Sequence, residues 1–133
     1  EIGILPKRSV PAQLLKTKVP ITQIFHSGKL RAQQTAEVFA STLKISGVSA
    51  TEGLSPNDDP GLISHKLDQS NSLYVGHLPH LEKLVSQLTT GESSLQPLQF
   101  KNSAVACLKI NGKKDQNQHY RIQWFLTPEL LTF

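Results

Sequence analysis

The chain has 133 residues, a hydrophobic share of 38% and a formal net charge of +4, values that predict one soluble globular domain with a single core. No apolar run approaches the roughly 20 residues of a membrane helix, and no signal peptide is visible. A membrane is therefore not an expected partner, and nucleic acid is not expected either, because the basic residues are scattered along the chain. The single cysteine, Cys107, cannot form an internal disulfide, and it predicts a reducing, cytoplasmic location.

The first half of the chain alternates between predicted strands and helices. In order, a partly helical segment, a strand, a helix, a loop and a short helix are predicted at residues 1–16, 20–25, 30–44, 51–61 and 62–67. The helix at 30–44 is the clearest, because four apolar residues follow its 3.6-residue period: Ala36, Phe39, Ala40 and Leu43. The loop is assigned from its glycine, proline and aspartate content.

The second half begins with a strand at residues 73–75 and a helix at 80–90. Two further strands, residues 103–110 and 119–126, flank the turn-forming NGKKDQN segment, and an antiparallel hairpin is predicted from them. Strand–helix alternation followed by a hairpin predicts an α/β three-layer sandwich. Its central sheet is mainly parallel and flanked by helices, with the hairpin at the sheet edge.

Polar side chains follow two of the predicted strands. His26, Ser27, Lys29 and Arg31 come after the strand at 20–25, and His77 comes after the strand at 73–75. Ligands of open α/β sheets bind beyond the carboxyl ends of strands. An arginine fork suits phosphate oxygens, and a histidine can bind a phosphoryl oxygen or donate a proton. The residues alone predict a phosphate site here, although histidine and arginine at such positions are more commonly structural or solvated.

Three other features carry weaker signals. His77 and His80 have the i, i+3 spacing of a metal site, but no third ligand stands at a useful distance, so no metal is predicted. Cys107 lies in the apolar run AVACLKI and is expected to be a small core residue rather than a nucleophile. The acidic NDDP segment is typical of an exposed turn.

The two motifs and the loop between them resemble the short bacterial branch of the histidine phosphatase superfamily. HSGKLRAQQTAEVFA resembles the S-x-x-x-R-A-x-Q-T-A helix entry of that superfamily, and LYVGHLPHLEKLVSQL resembles its G-H-x-P second-histidine segment. GLSPNDDP is similar to the L-x-P-x-x-D loop of the SixA-type phosphohistidine phosphatases, and the closing WFLTPELL also fits that branch. The motifs occur in the right order over nearly the whole chain.

The resemblance implies a role for four residues. Arg31 grips the phosphoryl group, and His77 is the second pocket histidine that stabilises this group during transfer. Ser27 shapes the pocket, and Asp58 is matched to the acidic position after L-x-P. The resemblance implies neither a metal nor an organic cofactor, and it implies no glutamate proton donor. We expect Arg31 and His77 to converge in one pocket.

One family motif has no match in the chain. The nucleophilic histidine of the family belongs to an R-H-G motif at the end of the first strand, and no R-H-G is present. EIG at residues 1–3 resembles the tail of the segment that follows this motif, and the chain contains no methionine. We therefore expect residues 1–133 to form a single histidine-phosphatase-like domain without its first strand, and we expect the intact protein to have that strand.

The resemblance implies a phosphatase that removes a phosphoryl group from phosphohistidine on a protein through a covalent phosphohistidine intermediate. Three alternatives stay open: a non-catalytic phosphate- or phosphoprotein-binding module that has lost the nucleophile, a phosphatase of small phosphorylated metabolites, and a plain α/β domain without a site. The short chain leaves no room for a cap over the site. A phosphorylated protein is therefore favoured over a small phosphate ester as the partner.

Overall fold

The computed structural model describes residues 21–64, 67, 71–95, 105–110 and 120–126. Within these ranges, strands and helices follow one another in this order: β1 (Gln23–His26), α1 (Leu30–Leu43), β2 (Val48–Ala50), α2 (Pro60–Ser64), β3 (Ser72–Val75), α3 (His80–Thr90), β4 (Val105–Ile110) and β5 (Tyr120–Leu126). In the described part of the chain, no helix combines the length and the apolar character needed to cross a membrane.

Most predicted elements are confirmed, with two differences. Strand β2 lies in a segment without a predicted element, and α2 begins at Pro60, inside the predicted loop, rather than at Leu62. Pro60 suits the first turn of a helix because its missing N–H would have no intrahelical partner there. The predicted helical segment at 1–16 lies outside the described residues.

The central sheet is parallel and has the strand order β2-β1-β3. His26 is in register with Ala50 of β2 and with Val75 of β3. All three strands therefore end at nearly the same level, and the segments that follow them meet at one edge of the sheet. We call this edge, which includes Ser27 and His77, the carboxyl edge.

The two C-terminal strands form the predicted antiparallel hairpin, which is a sheet of its own. Its register runs from Val105 opposite Leu126 to Ile110 opposite Tyr120, with an irregularity between Cys107 and Leu108. The hairpin packs against Val85 of α3 through four partly buried side chains: Ala106, Leu108, Ile122 and Phe125. A helix-flanked parallel sheet together with this hairpin confirms the predicted α/β fold class. Among the described residues, the hairpin packs on α3 and does not pair with an edge strand of the parallel sheet.

The core lies between the parallel sheet and its helices. Ile24 and Val75 of the sheet are fully buried, together with Phe39 of α1 and Ile63 of α2. Helix α1 buries Ala32, Thr35, Ala36 and Phe39, which is the i, i+3, i+4, i+7 stripe of an amphipathic helix. Burying a side chain such as Phe39 stabilises the fold by about 1.5–3 kcal/mol, and this packing fixes the strand ends that carry the polar residues.

Candidate functional site

Ser27 and His77 lie together at the carboxyl edge. Ser27 directly follows β1, and His77 lies two residues after the end of the neighbouring strand β3. Ser27 Oγ is 2.6 Å from His77 Nε2. His77 is buried, and Ser27 is partly buried. A short hydrogen bond of this kind holds the imidazole ring in one orientation. Because Ser27 is only partly buried, the pair remains accessible to solvent.

The turn after β1 places the Ser27 hydroxyl. Gly28 has a φ of +88°, a conformation that costs glycine little and other residues more. Its N–H donates to Nδ1 of His26 at 3.0 Å, and the N–H of Lys29 donates to Ser27 Oγ at 3.3 Å. Because Nδ1 of His26 accepts a hydrogen bond, the proton of the neutral His26 ring is on Nε2.

The segment after β3 places His77. A Cβ added to Gly76 would be 3.2 Å from Cδ2 of Leu81 and 3.4 Å from the backbone oxygen of Leu54. Glycine therefore allows the chain to pass close to α3 and to the loop before α2. The N–H of Leu81 donates to the carbonyl of His77 at 2.9 Å, which ties His77 to the start of α3.

The loop between β2 and α2 brings Asp58 to the same region. Its Oδ2 accepts a hydrogen bond from the N–H of Ser55 at 3.0 Å. Counted strictly, the L-x-P-x-x-D spacing falls on Asp59 rather than on Asp58. Asp59 is exposed, and its Oδ1 accepts from the N–H of Gly61 at 2.9 Å, as an N-cap does. Asp59 thus starts α2, while Asp58 faces a cavity.

This cavity opens beside the Ser27–His77 pair and has a volume of about 440 Å³. Its lining combines hydroxyl, carboxylate and apolar side chains with one glycine: Ser27, Ala50, Thr51, Glu52, Gly53, Ser55, Asp58 and Leu62. Two of the predicted site residues, Ser27 and Asp58, therefore share one cavity. His77 is not a lining residue, and it is joined to the cavity wall through its hydrogen bond to Ser27.

Arg31 lies in the first turn of α1 and is exposed. It is four residues beyond Ser27 and therefore near the carboxyl edge. Lys29, at the N-cap position, makes no side-chain hydrogen bond to the helix. The first N–H groups of a helix carry a partial positive charge that favours anions. That the Arg31 guanidinium converges with His77 on one ligand stays a prediction.

Comparison with known proteins shows which fold this architecture has. No protein-family model matches the sequence, and no curated protein matches it. The protein histidine phosphatase SixA, solved in complex with tungstate, superposes with a TM-score of 0.78 at 27% identity, over 98% of this chain and 86% of that one. The chain has the SixA-type histidine phosphatase fold. A proposed phosphohistidine phosphatase SixA from Agrobacterium tumefaciens superposes with a TM-score of 0.66 at 24% identity, over 90% of this chain and 79% of that one.

His80 is a residue that the sequence interpretation weighed only as a metal ligand. It is fully buried at the start of α3, and neither ring nitrogen has a hydrogen-bond partner among the described residues. Burial lowers the pKa of His80, as does the nearby His77, whereas the Asp58 carboxylate and the backbone of Gly53, which lies near the ring but outside hydrogen-bond geometry, act in the opposite direction. Burial dominates, so His80 is neutral at pH 7. The described residues contain no group of three potential metal ligands around it.

Cys107 does not belong to the site. It lies on β4 of the hairpin and is partly rather than fully buried, which corrects the expectation of a core residue. Burial raises the pKa of the Cys107 thiol, and its Sγ is 3.9 Å from Oε1 of Gln123. A thiol with a raised pKa is a poor nucleophile at neutral pH.

Proposed function

We propose that the protein is a phosphohistidine phosphatase, and that its substrate is a phosphoryl group on a histidine of another protein. The observation that carries the proposal is the 2.6 Å hydrogen bond between Ser27 and His77, placed at the carboxyl edge of a SixA-type fold. The structural likeness to a protein histidine phosphatase supports the same substrate class.

In this proposal His77 stabilises the phosphoryl group. A protonated imidazole donates hydrogen bonds and offsets the negative charge on the equatorial oxygens during transfer. Ser27 orients the ring through Nε2, so His77 needs little reorganisation when the ligand binds. Arg31 supplies a second, permanently charged donor from the start of α1.

The proposed reaction proceeds in two displacements. A nucleophilic histidine nitrogen attacks phosphorus in line, the P–N bond of the substrate breaks, and the leaving imidazole takes up a proton from solvent. Water then attacks the phosphohistidine of the enzyme, and the P–N bond to the enzyme breaks to give inorganic phosphate. The nucleophile in this scheme belongs to an R-H-G motif, which the 133 residues do not contain. No metal or organic cofactor takes part.

The test compares the intact protein with its His77→Ala and Arg31→Ala variants. Phosphate release is measured from a protein phosphorylated on histidine, from free phosphohistidine and from a small phosphate monoester. We expect release from the two phosphohistidine substrates, a labelled enzyme that is stable in base and labile in acid, and a loss of at least about 100-fold in each variant. Ser49→Ala, an exposed change on β2, serves as the control.

Two results would favour other functions. Tight binding of phosphohistidine without phosphate release or a labelled enzyme would identify a phosphoprotein-binding module. Faster release from the small monoester than from phosphohistidine would identify a phosphatase of small metabolites. Full activity in both His77→Ala and Arg31→Ala would show that neither residue belongs to the active site.

A further inference from the structure

His80 is a buried polar side chain that the proposed reaction does not use. It is fully buried at the start of α3, and neither of its ring nitrogens has a hydrogen-bond partner among the described residues. A neutral imidazole has one donor and one acceptor, and leaving both unpaired in the interior lowers stability. An apolar side chain at this position would avoid that loss. Departures of this kind from the ordinary core pattern are expected mainly at functional sites.

His80 and His77 belong to the same turn at the start of α3. His80 follows His77 by three residues, and the N–H of Leu81 donates to the carbonyl of His77 at 2.9 Å. Both imidazoles are buried. The Ser27 hydroxyl fixes the ring of His77, whereas the donor and the acceptor of the His80 ring are unused within the described part of the chain.

The loop that forms one wall of the cavity packs against this turn. A Cβ added to Gly76 would be 3.4 Å from the backbone oxygen of Leu54, so the loop and the segment before α3 are in contact. Gly53 and Asp58 of the same loop line the cavity, and both counteract the lowering of the His80 pKa by burial. His80 itself is not a lining residue. It is therefore a buried donor near the cavity wall rather than a group that a ligand in the cavity touches.

Asp58 is the residue through which His80 can affect a bound ligand. Its Oδ2 accepts from the N–H of Ser55 at 3.0 Å, and a carboxylate has lone pairs for further donors. A phosphoryl group at the Ser27–His77 pair brings negative charge to the same cavity, where the negative carboxylate of Asp58 opposes it. A hydrogen bond from the side of α3 would draw the carboxylate away from the phosphoryl oxygens.

We propose, on the basis of the proposed phosphatase function, that His80 is a positioning residue for phosphoryl transfer. When a phosphoryl group occupies the site, the Asp58 carboxylate turns toward α3 and accepts the ring N–H of His80. This bond gives the buried donor a partner and reduces the repulsion between Asp58 and the phosphoryl oxygens. His80 touches no reacting atom and acts through Asp58 alone.

The first experiment is a double-mutant cycle on the kcat/KM of the intact protein for free phosphohistidine. Its members are the wild type, His80→Leu, Asp58→Ala and the double variant. We expect His80→Leu to lose about tenfold, mainly through a higher KM, although its stability rises. In the Asp58→Ala background the same change has no further effect, because the group through which His80 acts is gone.

Two further variants separate positioning from a merely structural role. His80→Gln keeps a donor and an acceptor and is expected to recover most of the activity that His80→Leu loses. Ser72→Ala is the matched control, because Ser72 Oγ is also buried without a hydrogen-bond partner among the described residues but lies at the amino end of β3. It is expected to leave kcat/KM unchanged.

The second experiment observes the His80 ring directly. Proton–nitrogen NMR correlation spectra of the histidine side chains are recorded without and with inorganic phosphate, the product of the proposed reaction. We expect the ring N–H signal of His80 to move downfield with phosphate in the wild type and to stay in place in Asp58→Ala.

Equal losses from His80→Leu in both backgrounds would overturn the positioning role, and so would a His80 signal that phosphate does not move. If no phosphohistidine substrate releases phosphate, the proposed phosphatase function fails by itself. The NMR experiment then decides on His80 alone, since it requires phosphate but no turnover.

Discussion

Ser27 Oγ and His77 Nε2 are 2.6 Å apart although 50 positions separate the two residues in the chain. The contact exists because β1 and β3 are neighbours in the parallel sheet and because both strands end at the same level. The candidate site is therefore a product of strand order and register rather than of any local motif.

Replacing Ser27 with alanine is expected to lower phosphohistidine hydrolysis about tenfold with little change in stability. The change removes the hydrogen bond to His77, worth about 1 kcal/mol, and the longer bond from the N–H of Lys29, an exposed residue. Ser27 contributes little to the core. Phosphate release and thermal unfolding of the variant check this. Ser49→Ala, on an exposed strand position, is the control, and equal activities of the two variants would contradict the role given to Ser27.

His80 makes the protein less stable in acid. Because burial lowers its folded-state pKa below the ordinary value, the unfolded chain binds a proton at a higher pH than the folded chain does. The free energy of unfolding therefore falls as pH decreases from about 6.5, the unfolded value, toward the folded pKa of His80, and this contribution is constant at still lower pH.

His80→Leu is expected to remove that contribution to the pH dependence. It also removes two buried ring nitrogens that have no hydrogen-bond partner among the described residues, which raises the free energy of unfolding at pH 7.5 by on the order of 1 kcal/mol. Urea unfolding at pH 5 and pH 7.5 measures both effects. A variant that loses as much stability in acid as the wild type would show that His80 is not the titrating group.

Gly76→Ala is expected to destabilise the fold by about 1–3 kcal/mol and to reduce activity as well. The added Cβ would lie 3.2 Å from Cδ2 of Leu81 and 3.4 Å from the Leu54 carbonyl, so either the Leu81 side chain or the segment that carries His77 must shift. Gly47→Ala is the matched control, because its nearest neighbour would be an ordinary 3.6 Å away. Denaturant midpoints and phosphate release compare the two. Equal stabilities would mean that the close approach at Gly76 is dispensable.

The two adjacent aspartates of the loop, Asp58 and Asp59, are expected to differ in their effects on stability and on the KM for phosphohistidine. Asp59→Ala removes a cap-like bond to Gly61 and lowers stability by about 1 kcal/mol, without affecting phosphoryl binding. Asp58→Ala frees the N–H of Ser55 and alters the cavity wall, so it changes the KM for phosphohistidine. Kinetic and unfolding measurements on both variants separate these effects, and a change of KM in Asp59→Ala alone would reverse the assignment.

The sequence predicted the elements with a strong apolar period and missed those without one. Helix α1 was predictable because its apolar stripe is uninterrupted, and the hairpin because turn residues separate two apolar runs. Strand β2 has three residues, two of them exposed, so no pattern marks it. The earlier start of α2 did have a signal, since Asp59 and Pro60 form a common helix entry.

The candidate site was predictable as a set of strand-end residues but not as a geometry. Nothing in the sequence states that β1 lies between β2 and β3, and this order is what joins Ser27 to His77. The burial of His80 had a usable signal, because it precedes Leu84 and Leu88 by four and eight positions and so shares their face of α3. A titratable side chain on that face is an exception to the ordinary pattern, which is why the sequence interpretation left it out of the core.

The parallel pairing of β1 with β3 also governs when the site can form. During synthesis, Ser27 and the start of α1 exist well before His77 leaves the ribosome, but the Ser27 hydroxyl has no imidazole partner until β3 has closed the intervening loop onto β1. Closing such a loop costs chain entropy that local helix formation does not incur. The Ser27–His77 pair is therefore acquired late and together with the sheet, and a nascent chain that ends before residue 72 lacks it.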